Sequence, residues 1–177
     1  MAGPRLLRVA ASSALALTTL SLTAVTLSGC AAAAPRAAKA APCVPGKPLG
    51  ASPDALDRIT VCVGEGKAGR RFDTEVARTP EQQAKGMMFR TALADDKAML
   101  FDFGVERPAG FWMRNTLIPL DIIFIRADGR VANIAARAEP YSEETRLSDG
   151  PVVAVLEIRG GLAAEAGIVP GTLIRWK

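Results

Sequence analysis

Only two stretches beyond residue 57 read as helix, and each is little more than one turn long. The first, residues 80–85, begins at Thr79-Pro80-Glu81-Gln82. Thr79 can cap it, Pro80 suits the first helical position, and Gln82 completes a capping box. Gly86 stops it. The second, residues 162–166, ends at Gly167, with Pro170 shortly after. Helices so short and so few cannot cover both faces of a parallel sheet. The remaining apolar segments read as strands. Residues 58–63 alternate through Ile59, Val61 and Val63, and residues 70–77 do so through Phe72, Thr74 and Val76. Further strands are expected at 99–103, 111–115, 151–158 and 173–176. Segments 120–126 and 130–136 flank Asp128-Gly129, the strongest short hairpin signal. The expected fold class is α+β and β-rich: a compact, barrel-like antiparallel or mixed sheet with two short helices.

Residues 1–29 have the parts of a secretory signal. Arg5 and Arg8 supply its positive start, and an uncharged apolar run extends from Val9 to Leu27. It ends in Leu27-Ser28-Gly29-Cys30, which resembles the lipobox of bacterial lipoproteins, where a peptidase cuts before a cysteine that carries lipid. The expectation is therefore a lipid on Cys30, with several acyl chains giving stable membrane anchoring. The alternatives are an uncleaved span, for which residues 9–27 are only marginally long, and ordinary cleavage near Ala33 or Ala34. Ala31 after the cysteine resembles the outer-membrane sorting signal of enterobacteria-like systems. Residues 30–57 are rich in Ala and Pro and read as a semi-extended tether. Residues 58–177 form the expected domain. The location expected is the cell envelope, facing periplasm or exterior.

The chain has no histidine and three cysteines. That excludes Ser-His-Asp and Cys-His catalysis and every histidine-based zinc site. Four thiolates for a zinc or iron–sulfur centre are not available. No cofactor and no metal are expected. The net charge of +4 is dispersed, without basic runs interleaved with aromatics, so nucleic acid is not an expected partner. With Cys30 lipidated, Cys43 and Cys62 remain as an even pair in an oxidising compartment, which suggests a disulfide worth about 3 kcal/mol in the chain-entropy picture. The alternative is two free thiols, with Cys62 buried in a strand.

Several segments together resemble one family. They are Gly86-Met87-Met88-Phe89-Arg90, Ala98-Met99-Leu100-Phe101-Asp102-Phe103, and Phe111-Trp112-Met113-Arg114-Asn115-Thr116 with Pro119-Leu120-Asp121. Asp128-Gly129, residues 155–161, Ala166-Gly167-Ile168 and Gly171 follow in order. This pattern resembles DUF192 (also called UPF0127) over residues 70–177, and the segment 111–121 is its most specific part. The resemblance implies a small α+β domain, often behind a secretion or lipoprotein signal, and brings no established activity. Ala98 stands where the family usually has Gly, and Thr172 where it often has Asp.

Segment 111–121 gathers the polar and aromatic residues that could recognise a ligand. Arg114 could clamp an anionic group. Asn115 and Thr116 could read hydroxyls or amides, and Trp112 could stack on a ring. Arg90 and Asp121 complete the candidate binding set. Equally, Asn115 and Thr116 could serve a tight turn, and Asp121 could pair with Arg114 or cap a loop. Asp121 and Glu157 are the candidate catalytic carboxylates, each beside an apolar strand where burial raises a pKa. Ion pairs with Arg90, Arg114 or Arg159 are the structural alternative. Met87, Met88, Met99 and Met113 could suggest copper, but core packing is the common use of Met. Three readings follow. The leading one is a non-catalytic envelope lipoprotein that binds a small molecule, glycan or protein partner. The second is a hydrolase of envelope polymers using Asp121 and Glu157, which needs those carboxyls roughly 5–10 Å apart in an open cleft. The third is a structural tethered domain without ligand.

Overall fold

A computed structural model describes residues 42–65 and 69–177. The signal segment, Cys30 and the start of the tether lie outside the described residues. Ten strands and two helices follow in the order β1 (Pro48–Ala51), β2 (Asp57–Val63), β3 (Arg70–Ala77), α1 (Pro80–Lys85), β4 (Lys97–Arg107), β5 (Gly110–Phe111), β6 (Leu120–Ile125), β7 (Val131–Ala138), β8 (Arg146–Leu147), β9 (Val152–Arg159), α2 (Leu162–Glu165) and β10 (Ile174–Arg175). The fold is β-rich α+β with two short helices, as the alternation and capping signals predict.

The main sheet runs β1-β2-β3-β4-β9-β6-β7. It is mixed, because β3 and β4 are parallel while the other neighbours are antiparallel. The connection between the parallel pair carries α1, as such a crossover requires. β10 pairs with the end of β2, and Leu173 just before it bridges to Arg130 at the β6–β7 hairpin. The sheet nevertheless is not closed into a barrel. This corrects the barrel-like expectation: two-residue β10 joins its neighbours at one end only.

Both faces of the sheet are covered. One core contains Ile59, Val61, Phe72, Val76, Leu100, Ile123, Leu156 and Ile158, and α2 adds Leu162 and Ala163. The second contains Met87, Met99, Phe101, Met113, Leu120, Ile122, Phe124 and Val155. The pleat sends successive residues to opposite faces. β9 therefore gives Ala154, Leu156 and Ile158 to the first core and Val155 to the second. The face of Val155 is also the face of Glu157.

The local signals act as read. Thr79 and Gln82 form the capping box, with Thr79 N–H donating to Gln82 Oε1 (3.1 Å) and Gln82 N–H to Thr79 Oγ1 (3.3 Å). Asp128-Gly129 makes the hairpin turn, where Gly129 takes φ +77 and Asp128 Oδ1 accepts from Arg130 N–H. Three differences have physical causes. Part of the expected tether forms edge strand β1, since Pro48 sits at the strand's first position, where its missing N–H is tolerated. β4 runs past Phe103 through an irregularity between Asp102 and Arg107 that breaks the apolar alternation. Of the expected strand 111–115, only Phe111 is paired, because the chain turns at Asn115 with φ 55. Among the described residues no helix is long and apolar enough to cross a membrane.

Cys43 and Cys62 are joined by a disulfide, with Cα atoms 5.9 Å apart across a separation of 19 residues. The bond ties the segment before β1 to β2, and Gly46 N–H donating to Thr60 carbonyl continues the attachment. Replacing both cysteines by Ser should lower unfolding stability by about 3 kcal/mol. An unchanged urea midpoint in the double variant would show that β1 is held by packing alone.

Candidate functional site

Antiparallel pairing of β6 with β9 places Asp121 opposite Ile158 and Ile122 opposite Glu157. Directly paired residues share a face and neighbours along a strand do not. Asp121 thus projects to the first core and Glu157 to the second. The two carboxyls do not converge, and the expected acid/base pair does not form.

Asp121 is fully buried and bonded by backbone donors. Its Oδ1 accepts from Arg137 N–H (2.7 Å) and Gly161 N–H (2.9 Å), and its Oδ2 accepts from Ala163 N–H (2.7 Å). One carboxylate therefore fixes the end of β7, where Arg137 has φ 48, and the start of α2, whose cap residue Gly161 has no side chain to satisfy these amides. Gly160 makes the adjoining close approach: a Cβ there would meet Pro119 atoms at 2.9 Å. Asp121 caps a loop, one of the structural roles weighed from the sequence, and it is not part of a ligand surface.

Glu157 is different. It is 4 % exposed, and its Oε2 has no hydrogen-bond partner. It lines a cleft of about 250 Å³ between α1 with the Gly86–Met88 turn on one side and the segment from Gly110 to Thr116 on the other. Phe101 and Phe103 of β4 form the floor beside it, and Arg107 reaches the same cleft. Burial pushes the Glu157 carboxyl up to about 8, with the Arg90 charge opposing in a smaller way. At neutral pH Glu157 is therefore a protonated donor in the cleft lining.

The aromatic lining is ordered. Phe111 stands edge-on to Phe101 with ring centroids 4.9 Å apart and reaches Phe124 at 6.1 Å. Two guanidinium groups lie on rings: Arg107 on Phe103 at 3.9 Å and Arg114 on Trp112 at 4.6 Å. Arg114 Nε also donates to Glu143 Oε1 at 3.1 Å. Gln83 Nε2 donates to the carbonyls of Ala77 and Asp102, both at 3.3 Å, which holds α1 against β3 and β4.

The wall carrying Trp112 and Arg114 is tied to two other loops through the backbone. Phe89 N–H donates to the Asn115 carbonyl (2.9 Å), Met113 N–H to the Ser142 carbonyl (2.8 Å), and Tyr141 N–H to the Thr116 carbonyl (3.1 Å). Phe89, Asn115 and Tyr141 all have positive φ, between 55 and 66. That conformation is natural for Asn and strained for the two aromatics, and such strain gathers at functional sites.

Of the expected binding set, Trp112, Arg114 and Thr116 line the cleft. Asn115 serves the turn, with its amide 3.9 Å from Met88 Sδ. Arg90 is taken up by Glu75 and Asp54 beside the cleft. Met87, Met99 and Met113 are core residues, and Met88 lines the cleft. Sequence reasoning missed Gln83, Phe103 and Arg107 as site residues; Gln83 lies far from segment 111–121 in the chain, whereas Phe103 and Arg107 lie just before it. The one signal for Arg107 was the apolar run of β4 continuing into a charged end.

The sequence from residue 61 to residue 176 matches the DUF192 family, described as an uncharacterized ACR. This chain belongs to the DUF192 family. Two solved structures are similar to it. One, from Novosphingobium aromaticivorans DSM 12444, is a protein of unknown function that is 49% identical over 73% of this chain and 92% of its own, with a TM-score of 0.69. The other, from Sinorhizobium meliloti 1021, is described as a candidate transcription regulator and is 36% identical over 68% of this chain and 94% of its own, with a TM-score of 0.65. No curated protein matches. The DUF192 match covers every element from β3 onward, and so it includes the whole cleft.

Two stability effects follow. The folded DUF192 domain keeps a proton on Glu157 that the unfolded chain loses above the ordinary value of 4.5, so stability falls as pH rises from about 4.5 to about 8. Glu157→Gln should therefore stabilise the protein by about 2–4 kcal/mol at pH 8, and by nearly nothing below about pH 4. Urea titrations at both pH values measure this, and a gain that does not depend on pH would contradict it. Asp121→Asn puts an amide donor against backbone N–H groups and should cost about 2–3 kcal/mol at pH 7 by the same method.

Proposed function

We propose that this DUF192 protein is an exported envelope lipoprotein whose domain binds a small ligand, without catalysis, in the cleft above Glu157. One observation carries the binding reading. Glu157, a buried, protonated carboxyl with an unpartnered oxygen, is among the residues lining a cleft that holds ordered aromatic rings. A buried polar group without a partner costs about 1–3 kcal/mol, and a ligand oxygen accepting from Glu157 would remove that cost. Concave, mainly apolar sites with a few placed polar groups are the usual form of small-ligand sites.

Several facts support a non-catalytic role. Among the described residues Glu157 is the only acid lining the cleft, and Asp121 is committed to three backbone bonds on the far face. Glycan hydrolysis by the usual route needs two carboxyls across one bond. The envelope part of the reading rests on the sequence: Arg5 and Arg8, the apolar run to Leu27, and Leu27-Ser28-Gly29-Cys30. The Cys43–Cys62 disulfide fits an oxidising compartment.

Cys30→Ser should move the protein out of the membrane fraction and abolish incorporation of labelled palmitate. Retention with label in that variant would refute the anchor. For the cleft, a thermal-shift screen of small metabolites should give ligands that raise the melting temperature by mass action, with the rise lost in Trp112→Ala. A rise that survives in Trp112→Ala places the ligand elsewhere.

A further inference from the structure

The charges around the cleft are one-sided. Its lining includes three cations, Lys85, Arg107 and Arg114, against the single acid Glu157. Lys85 is paired with Asp54 at 3.1 Å. Arg114 uses only Nε toward Glu143, a carboxylate two-thirds exposed, which leaves its outer nitrogens for another partner. Arg107 makes no ion pair with any described residue, and its guanidinium carbon lies 3.9 Å from the centre of the Phe103 ring. Stacking on a ring holds a guanidinium in place while leaving its edge donors open, and those donors match a carboxylate or phosphate. Apolar side chains in the same lining are Phe101, Phe103, Phe111 and Met88. At about 250 Å³ the space is below the roughly 300–1,000 Å³ of sites for drug-sized ligands. That volume suits a metabolite-sized molecule rather than a glycan chain.

We propose that the cleft takes a small amphipathic anion, with its carboxylate or phosphate head held by Arg107 and Arg114 and its apolar body on the Phe101–Phe111 rings, directed at Glu157. This rests on the cleft reading above and adds the chemical class. A ligand with its charge inside and its apolar end outside is disfavoured. The anion would lose its water without gaining a cation, since the two arginines stack on Phe103 and Trp112 and not on Phe101 or Phe111. Protonated Glu157 tolerates an apolar body or an uncharged oxygen and would repel no anion at the mouth.

The test uses the full chain in phosphatidylcholine nanodiscs, labelled at the methionine methyl carbons. The chain has five methionines, of which Met88 lines the cleft while Met99 and Met113 report the buried core. Benzoate and phenyl phosphate are titrated against uncharged benzamide at pH 6.5. The expected result is a shift of the Met88 methyl by one or both anions, about tenfold or more tighter than benzamide, the ratio that one charge-assisted hydrogen bond gives. Which anion binds tighter tells a carboxylate head from a phosphate head. The preference should vanish in Arg107→Gln/Arg114→Gln with the Met99 and Met113 signals unchanged. If that pair of changes unfolds the domain, Arg107→Glu alone, at an exposed residue without ion pairs, should still remove most of the preference. Benzamide binding as tightly as the anions at Met88 overturns the anion assignment and leaves the cleft reading standing. No movement of Met88 with any of the three probes at millimolar concentration overturns both.

Discussion

The register between β6 and β9 decides what each carboxyl of this protein can do. The side-chain period of a strand is two, so slipping this pairing by one residue would exchange the faces of every side chain on one strand relative to the other. Both strands are buried over nearly their whole length. Six paired positions, from Leu120 opposite Arg159 to Ile125 opposite Ala154, set the register. It is what sends Asp121 toward amides that need an acceptor and Glu157 to the other face, where it lines the cleft. The same register puts Ile123 and Leu156 in one core and Ile122 and Val155 in the other. A slip would bury charge in one core and leave three backbone donors unpaired in the other, and both effects are costly.

Glu157 works against the stability that this register creates. A buried carboxyl without a hydrogen bond is among the more expensive features a small domain can hold, and most positions like it are apolar. Its neighbours do little to relieve it. Arg90 is near enough to act on its charge but is engaged by Glu75 and Asp54. Strained backbone at Phe89 and Tyr141 lies in loops that meet the same wall. Costs of this kind persist where the surrounding structure over-determines them, and they collect at sites selected for something other than stability.

Much of the fold was legible because its signals are local. Thr79, Pro80 and Gln82 announce α1, Asp128-Gly129 announces a hairpin, and the alternation of Ile59, Val61 and Val63 announces β2. The open sheet was not legible. Closure depends on how far β10 runs between β2 and the β6–β7 hairpin, a long-range matter that no local pattern encodes. Edge strand β1 was hidden inside a Pro-rich stretch, since composition cannot tell a tether from a strand that needs few donors. The site was half legible. Segment 111–121 held Trp112, Arg114 and Thr116, which share the cleft, but it also held Asn115 and Asp121, which serve the chain itself. Gln83 could not be found, because only the parallel β3–β4 crossover brings α1 beside Phe111, and no local pattern shows that Arg107 stacks on Phe103.

The cleft wall is fastened by backbone atoms: the carbonyls of Asn115, Thr116 and Ser142 receive the amides of Phe89, Tyr141 and Met113. None of these bonds uses the side chain of Trp112 or Arg114. The frame and its fittings are thus separable. Replacing either fitting changes the chemistry of the opening and leaves the frame's own connections in place, so the lining can be varied without rebuilding the wall that carries it.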